Sequence, residues 1–247
     1  MYVKSNASSF KSIAPLTLKI TVIIPTWNEA ENIAALVKFI IKHGMSALAE
    51  VIVVDGTSED NTVQMAREAG ALTICSAARS RAQQMNEGAK QATGDVLYFI
   101  HADVKLIPSF TQDILTAVGE GFHSGCYRYV FDSDSRMLKI NSYFTRFDRI
   151  MCRGGDQTLF VEKGVFNDLG GFNETYTIME DYDFIIRLRK TYRFKIIPKD
   201  ITVSARKYET NSWLRVQLAN LTVFMMFFLR QPPERMRSLY KKLLRYR

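Results

Sequence analysis

The sequence predicts an α/β domain with a mostly parallel central sheet. Short apolar, β-branched segments alternate with segments that repeat apolar residues at helical spacing. The predicted strands are 20–25, 51–54, 72–75 and 95–100, and the predicted helices between them are 29–42, 61–68 and 81–92. Strands separated by helices of this length pair in parallel through right-handed crossovers, so we expect a single three-layer domain.

The first strand ends at Pro25, because proline has no amide hydrogen with which to continue a strand. Thr26, Asn28 and Glu29 follow as a polar turn, and the helical pattern begins at Glu29. The segment is therefore a strand–turn–helix unit whose turn lies at the carboxyl end of the strand. Open α/β sheets bind their ligands at that edge.

The second strand, in the segment VIVVDG at 51–56, ends on Asp55 and Gly56. Asp-Gly is also an ordinary turn pair. At the end of a parallel strand, however, the carboxylate would face the same crevice as residues 26–29 and accept a hydrogen bond from a nucleobase or a ribose hydroxyl. Neither strand end carries the Gly-x-Gly-x-x-Gly fingerprint, which argues against a dinucleotide site.

Basic and amide side chains, among them Arg79, Arg81 and Asn86, surround the start of the third helix. They would bind a diphosphate or form a solvated turn. The fourth strand runs into His101, Ala102 and Asp103. Asp103 would hold Mg²⁺ or Mn²⁺, which prefer oxygen ligands and bridge diphosphates, or would serve as a turn residue.

The second half of the chain has a less regular pattern. We predict helices at 108–118, 136–151 and 179–190, a strand at 125–131, and loops at 154–157 and 169–172. Glu180, Asp181 and Asp183 stand together at the start of the last of these helices. Acids favour helix N-termini electrostatically. Clustered carboxylates also repel one another, which raises one pKa and improves that group as a general base.

The 247 residues carry a net charge of +8, and 47 % of them are apolar, which is ample for a core. Three scattered cysteines without a C-x-x-C pair argue against a disulfide framework or structural zinc, and they indicate a reducing compartment. Residues 1–19 are polar and lack the apolar centre of a signal peptide, so we expect a loose arm.

The C-terminal segment 211–247 combines an apolar helix with a basic one. Residues 213–229 are strongly apolar, but Arg215, Gln217 and Asn220 interrupt them, which suits a helix in the membrane interface or packed on the protein. Residues 230–247 hold seven basic residues and one acid. A solvated helix and contact with lipid headgroups both remain open; no fold typical of nucleic-acid binding is recognisable, so nucleic acid is not an expected partner.

Taken in order, these motifs resemble the family 2 glycosyltransferases with the GT-A fold, over about residues 20–207. The resemblance rests on VIIPTWNE at 22–29, VVDG at 53–56 and RAQQMNEG at 81–88. It is extended by HAD at 101–103, GDQ at 155–157, MED at 179–181 and SAR at 204–206.

The resemblance implies a role for each matching position. Nucleotide-binding residues would be Pro25, Thr26, Asn28, Glu29, Asp55, Arg81, Asn86 and Ala102. Asp103 matches the last acid of the D-x-D motif that binds Mn²⁺ or Mg²⁺, whereas His101 replaces its first acid. Asp181, beside Glu180, matches the catalytic base, and Gly155, Asp156 and Gln157 would lie near the acceptor or donor sugar.

We therefore expect an inverting, metal-assisted transfer from a nucleoside-diphosphate sugar to an acceptor hydroxyl. The expected organisation is a catalytic domain at 20–210, with a nucleotide-binding half at 20–103 and an acceptor-binding half at 104–210, followed by helices at 211–247. The expected location is the cytoplasm, at the inner face of the membrane if the acceptor is lipid-linked. The alternatives are a sugar-nucleotide-binding protein without turnover, which His101 would suit, and a nucleotidyltransferase, which would require a Gly-rich basic loop after the first strand.

Overall fold

The computed structural model describes residues 18–153 and 157–244, in which a seven-stranded sheet lies between two layers of helices. The strands are β1 Ile20–Thr26, β2 Leu48–Asp55, β3 Leu72–Cys75, β4 Val96–Phe99, β5 Ser124–Phe131, β6 Leu159–Glu162 and β7 Phe194–Val203. The helices are α1 Ala30–Gly44, α2 Thr62–Glu68, α3 Arg81–Gln91, α4 Phe110–Gly119, α5 Arg136–Phe144, α6 Lys163–Asp168, α7 Glu180–Leu188, α8 Arg206–Glu209, α9 Trp213–Phe228 and α10 Pro233–Leu243.

The sheet is mostly parallel, in the order β3-β2-β1-β4-β6-β5-β7. β1 pairs in parallel with β2 and β4, and β2 pairs in parallel with β3. β6 runs antiparallel to both of its neighbours, β4 and β5. The predicted α/β class and the parallel first half are confirmed.

Apolar side chains form a core on each face of the sheet. One core packs α1, α2 and α4 against the strands, with Ile33, Val37 and Phe110 fully buried. The other packs α3, α6 and α7 through residues such as Ala82 and Phe184. Because both faces are covered, the edge formed by the carboxyl ends of β1, β2 and β4 is where polar residues gather.

Two features of the second half differ from the sequence-based expectation. The helix predicted at 136–151 ends at Phe144, where the Thr145 hydroxyl donates to the Ser142 carbonyl and a separate short turn follows at Ile150–Cys152. Strands β6 and β7 and the short helices α6 and α8 were not predicted. β6 has only four residues, and β7 contains Pro198, which lies at a break in its register with β5.

The C-terminal helices form a small core of their own, in which Val216 and Ala219 of α9 pack with Leu244. No helix within the described ranges 18–153 and 157–244 is both long and apolar enough to cross a membrane. The expected arm at 1–19 lies outside the described residues except for its last two. The expected division at 103/104 falls within one continuous sheet.

Candidate active site

The loops after β1 and β2 are joined by a network around Asp55. Its carboxylate accepts hydrogen bonds from the Ser58 amide (2.8 Å), the Ser58 hydroxyl and the Thr26 hydroxyl (3.2 Å). The Asn28 amide donates to the Ser58 hydroxyl, and the Asn28 side chain accepts from the Glu59 amide. Asp55 is only 2 % exposed, and in this structure its hydrogen bonds shape the wall of the crevice. Its contact with a nucleotide stays a prediction.

Asp60 secures the starts of two helices at this edge. Its carboxylate accepts from the Ala30 amide at the start of α1 and from the amide and hydroxyl of Thr62 at the start of α2. Burial opposes ionisation of Asp60, but these hydrogen bonds outweigh it and hold the pKa below its ordinary value. An ionised carboxylate is therefore built into the base of the loop.

Trp27, in the loop after β1, and Arg79, in the loop after β3, stack on one another. The Arg79 guanidinium carbon lies 2.8 Å from the centre of the Trp27 ring, a cation–π contact. Partial burial lowers the pKa of Arg79, the positive charge of Arg237 on α10 lowers it further, and Glu59 opposes both. The C-terminal helix thus brings a second guanidinium close to Arg79.

α3 connects the nucleotide side of the crevice with the acids of α7. The Gln84 amide donates to the carbonyls of Thr26 and Val54, both at 2.8 Å. The Asn86 amide donates to the Phe172 carbonyl and to Glu174, and its oxygen accepts from the Phe172 amide. Asn86 is therefore committed to the 172–174 loop in this structure, and its predicted nucleotide contact remains untested.

Glu180 and Asp181 begin α7 directly after Met179, which has a left-handed backbone (φ 69°). Glu180 is 4 % exposed. Burial raises its pKa to about 7, the Asp181 charge contributes to the rise, and Arg81 opposes it. The predicted acid pair and Arg81 therefore form one electrostatic group. Carboxyl groups with shifted pKa values are common at functional sites.

Glu29 and Asp103 are bridged by a residue to which the sequence reasoning gave no role. Nη2 of Arg206 lies 2.9 Å from a Glu29 carboxylate oxygen and 3.2 Å from an Asp103 carboxylate oxygen. Arg206 begins α8, just after β7. The SAR motif at 204–206 contained a signal for it, but no local pattern links it to residues so distant in the sequence.

The residues present fit a divalent cation whose remaining ligands come from the substrate. No group of three or more potential ligands occurs among His, Cys, Asp and Glu of the described residues. Mg²⁺ is commonly held by one or two carboxylates together with substrate phosphates and water. Asp103 and Glu29 offer oxygens, and the Arg206 guanidinium already places a positive charge between them.

The remaining predicted residues divide into three groups. Pro25, Thr26 and Ala102 are buried at the crevice edge. Gly155 and Asp156 lie outside the described residues. Gln157 is described: its side-chain oxygen accepts from the Cys126 thiol at 3.8 Å, and its buried amide nitrogen has no hydrogen-bond partner within the described part of the chain.

A crevice at the carboxyl edge of a parallel sheet, lined by carboxylates and guanidinium groups, is typical of proteins that bind a nucleoside diphosphate. The family profile named Glycosyl transferase family 2 matches residues 21–197, most of the chain. The chain belongs to this family.

Individual relatives agree with this assignment. An uncharacterised glycosyltransferase of Haemophilus influenzae is 23 % identical over 68 % of this chain and 61 % of its own length. A PGL/p-HBAD biosynthesis glycosyltransferase of Mycobacterium bovis is 28 % identical over 68 % of each chain. This chain therefore spans about three fifths to two thirds of these relatives.

The fold also matches solved structures. A mannosyltransferase from Pyrobaculum calidifontis, solved in complex with GDP-Man and Mn²⁺, superposes with a TM-score of 0.66. The match covers 92 % of this chain and 69 % of that one, at 18 % sequence identity. The likeness confirms the expected GT-A fold.

Proposed function

We propose that this protein transfers a sugar from a nucleoside-diphosphate donor to an acceptor hydroxyl, with inversion at the anomeric carbon. The observation that carries the proposal is the pair of acids formed by buried Glu180 and half-buried Asp181, which lies beside Arg81 at the start of α3. The same helix contacts the end of β1 through Gln84, so the acids of α7 and the nucleotide crevice share one wall.

In the proposed step, the acceptor oxygen forms a bond to the anomeric carbon while the bond from that carbon to the diphosphate oxygen breaks. The bonding electrons leave with the nucleoside diphosphate, and the acceptor proton passes to the Asp181 carboxylate. Glu180 has a pKa near 7, so it is partly protonated at neutral pH and carries less of the like charge that would oppose an ionised Asp181.

The leaving diphosphate needs positive charge around it. Asp103 would hold a divalent cation, with Glu29 nearby, and when bound the cation would stabilise charge on the diphosphate. The Mn²⁺ in the Pyrobaculum complex supports this assignment. So does the sequence, in which Asp103 keeps the last acid of the D-x-D motif although His101 replaces the first. Arg79, which stacks on Trp27, and Arg81, which lies near Glu180, would add positive charge.

Asp181→Asn tests the role of the base. We expect turnover to fall by about 10²- to 10⁴-fold, because a positioned base contributes about that much, while nucleoside-diphosphate binding stays within a few-fold of wild type. Release of nucleoside diphosphate from a panel of sugar nucleotides with Mn²⁺ measures turnover, and calorimetry measures binding.

Asp134→Asn is the control, since this carboxylate is fully exposed and pairs with Lys139, to which no role in the site is assigned. The anomeric configuration of the product, read by NMR, tests inversion separately. Normal turnover by Asp181→Asn would remove this residue as the base, and retention of configuration would remove the single-displacement mechanism.

We also propose that the acceptor is lipid-linked and that the protein meets it at an anionic membrane surface. One face of α9 packs over the acid helix, with Phe224 against Tyr182 (5.8 Å between rings) and Phe227 against Tyr176 (5.5 Å). The face of α9 opposite the buried residues Val216, Ala219 and Val223 is an apolar stripe, exposed to solvent and spaced as one side of a helix: Leu214, Leu218, Leu221, Met225, Phe228 and Leu229.

A second exposed apolar stripe lies on α5, at Met137, Ile140, Tyr143 and Phe144. The Trp213 indole at the start of α9 donates to the Asn141 side chain, so the two helices meet. The basic residues of α10 and Arg230 follow α9 directly. Exposed apolar helix faces next to clustered Lys and Arg are complementary to an anionic bilayer surface.

A further inference from the structure

Arg206 is a cation placed between two carboxylates that arrive from distant parts of the chain. One nitrogen, Nη2, contacts both Glu29 and Asp103, which are 177 and 103 residues away in sequence. Glu29 lies just before α1, and Asp103 follows β4. The Glu29 side chain is 15 % exposed and Asp103 is 29 % exposed, so neither charge is fully hydrated.

The backbone that carries Arg206 is fixed to the rest of the fold. The Ala205 amide donates to Asp132 at 2.6 Å, and the Arg206 amide donates to the Ser204 hydroxyl at 3.2 Å. Lys105 and Thr202 exchange backbone hydrogen bonds of 2.8 and 3.1 Å, which join the segment after Asp103 to the end of β7. The side chain itself is 55 % exposed, so it can move while its backbone stays in place.

We propose that Arg206 is an internal cation that occupies the Glu29–Asp103 pair when no donor is bound, and that a divalent ion entering with the donor displaces it. This inference rests on the assignment of Asp103 as the metal-binding residue. Two like charges held this close need a compensating cation, and a guanidinium and a divalent ion both seek the same carboxylate oxygens.

The exchange has a direct consequence for metal binding. In the free protein, an ion must compete with the Arg206 guanidinium for Asp103, so the affinity for the ion alone is held low. Donor phosphates add ligands for the ion and offset this competition. Arg206 thereby makes metal binding depend on the donor, which a residue that only contacts the donor would not do.

Removing the guanidinium should therefore tighten binding of Mn²⁺ by itself. We expect Arg206→Gln to lower the Kd for Mn²⁺ by about fivefold, because two partly exposed ion pairs no longer compete and a positive charge is removed. Arg206→Lys, which keeps the charge, should remain within about twofold of wild type. The measurement is loss of the free Mn²⁺ signal in electron paramagnetic resonance, without nucleotide or sugar, so it does not depend on turnover.

Arg128→Gln is the matched control, since Arg128 also pairs with a carboxylate (Asp200, 2.9 Å) but joins β5 to β7. It should leave the Kd for Mn²⁺ unchanged, and thermal melting checks that each variant is folded. Unchanged or weaker Mn²⁺ binding by Arg206→Gln would overturn the inference.

Asp103→Asn distinguishes failure of this inference from failure of the proposed metal site. If this variant loses Mn²⁺ binding while Arg206→Gln does not gain it, the metal assignment stands and only the exchange is wrong. If Asp103→Asn binds Mn²⁺ as wild type does, the metal assignment and the exchange both fail. Loss in the first variant together with gain in the second supports both.

Discussion

Individual residues at the crevice depart from ordinary backbone geometry. Asn28 and Thr57 have φ values of 52° and 63°, and Met179 has 69°, although none is glycine. Each stands in a turn that delivers site residues: Asn28 before Glu29, Thr57 after Asp55, and Met179 before Glu180. Such conformations cost of order 1–3 kcal/mol and persist where the surroundings enforce them, which is common at functional sites.

The raised pKa of Glu180 makes stability depend on pH. The folded protein holds this proton up to about pH 7, whereas the unfolded chain releases it near its ordinary pKa of 4.5. The contribution to stability is therefore fully present below about pH 4.5 and is lost as pH rises through about 7. Glu180→Gln removes that loss, so its melting temperature should gain on wild type between pH 5 and pH 8.

Thermal melting of the two proteins at both pH values tests this expectation. Glu120→Gln is a suitable comparison, because that carboxylate is half exposed and pairs with Lys195 and not with a histidine. If the melting temperatures of wild type and Glu180→Gln change by the same amount between pH 5 and pH 8, folding does not raise the pKa of Glu180.

At the scale of elements, helix α3 holds the nucleotide edge and the acids of α7 in position relative to each other. Asn86 ties it to the 172–174 loop, and Arg187 of α7 donates to the carbonyls of Leu169 and Gly171 in the same segment. Both helices are thus fixed to one loop as well as packed in one core. The position of the acids relative to the nucleotide edge depends on these contacts.

Asn86→Ala should destabilise the protein by about 1–3 kcal/mol, because it leaves the buried amide and carbonyl of Phe172 without their partner. Urea unfolding measures the change. Gln64→Ala, which removes an exposed contact with Glu68 on α2, should cost less than about 0.5 kcal/mol. If the predicted nucleotide contact of Asn86 also exists, the affinity of Asn86→Ala for nucleoside diphosphate falls as well. An unchanged free energy of unfolding would contradict the role of Asn86 in holding α3 to the 172–174 loop.

The sequence predicted the elements whose signals are local. β1, β2 and β4 are continuous apolar runs, and α1 and α3 repeat apolar residues at helical spacing, so each could be located without its neighbours. β7 could not be located in this way, because Pro198, Lys199 and Asp200 interrupt its apolar pattern. In the structure it pairs with β5 on both sides of a break in register. The Arg206 bridge was missed for a related reason, since its partners are set by the fold and not by spacing.

At the scale of the whole molecule, the candidate base lies between the nucleotide crevice and the C-terminal helices. α7 carries Glu180 and Asp181, its Tyr182 ring contacts Phe224 of α9, and α9 also carries the exposed apolar stripe. In the proposed reaction, an acceptor hydroxyl held near a bilayer would approach the acids from this side, while the donor would occupy the edge of the sheet. This arrangement agrees with the proposal that the acceptor is met at a membrane surface.

The proposed membrane contact predicts binding to anionic vesicles through the α9 stripe. The protein should sediment with vesicles containing phosphatidylglycerol more than with phosphatidylcholine alone, and added salt should weaken binding. Leu218→Asp should reduce binding by at least about tenfold, because burying one leucine contributes about 1.5–3 kcal/mol.

Leu72→Asp is the matched control: Leu72 is as exposed as Leu218 (59 % against 55 %) but lies on the edge strand β3. It should bind vesicles as wild type does. An alternative occupant of the stripe is a second copy of the chain, and sedimentation velocity without lipid tests it. A dimer abolished by Leu218→Asp, with no vesicle binding by wild type, would assign the stripe to self-association and would remove the structural reason for a lipid-linked acceptor.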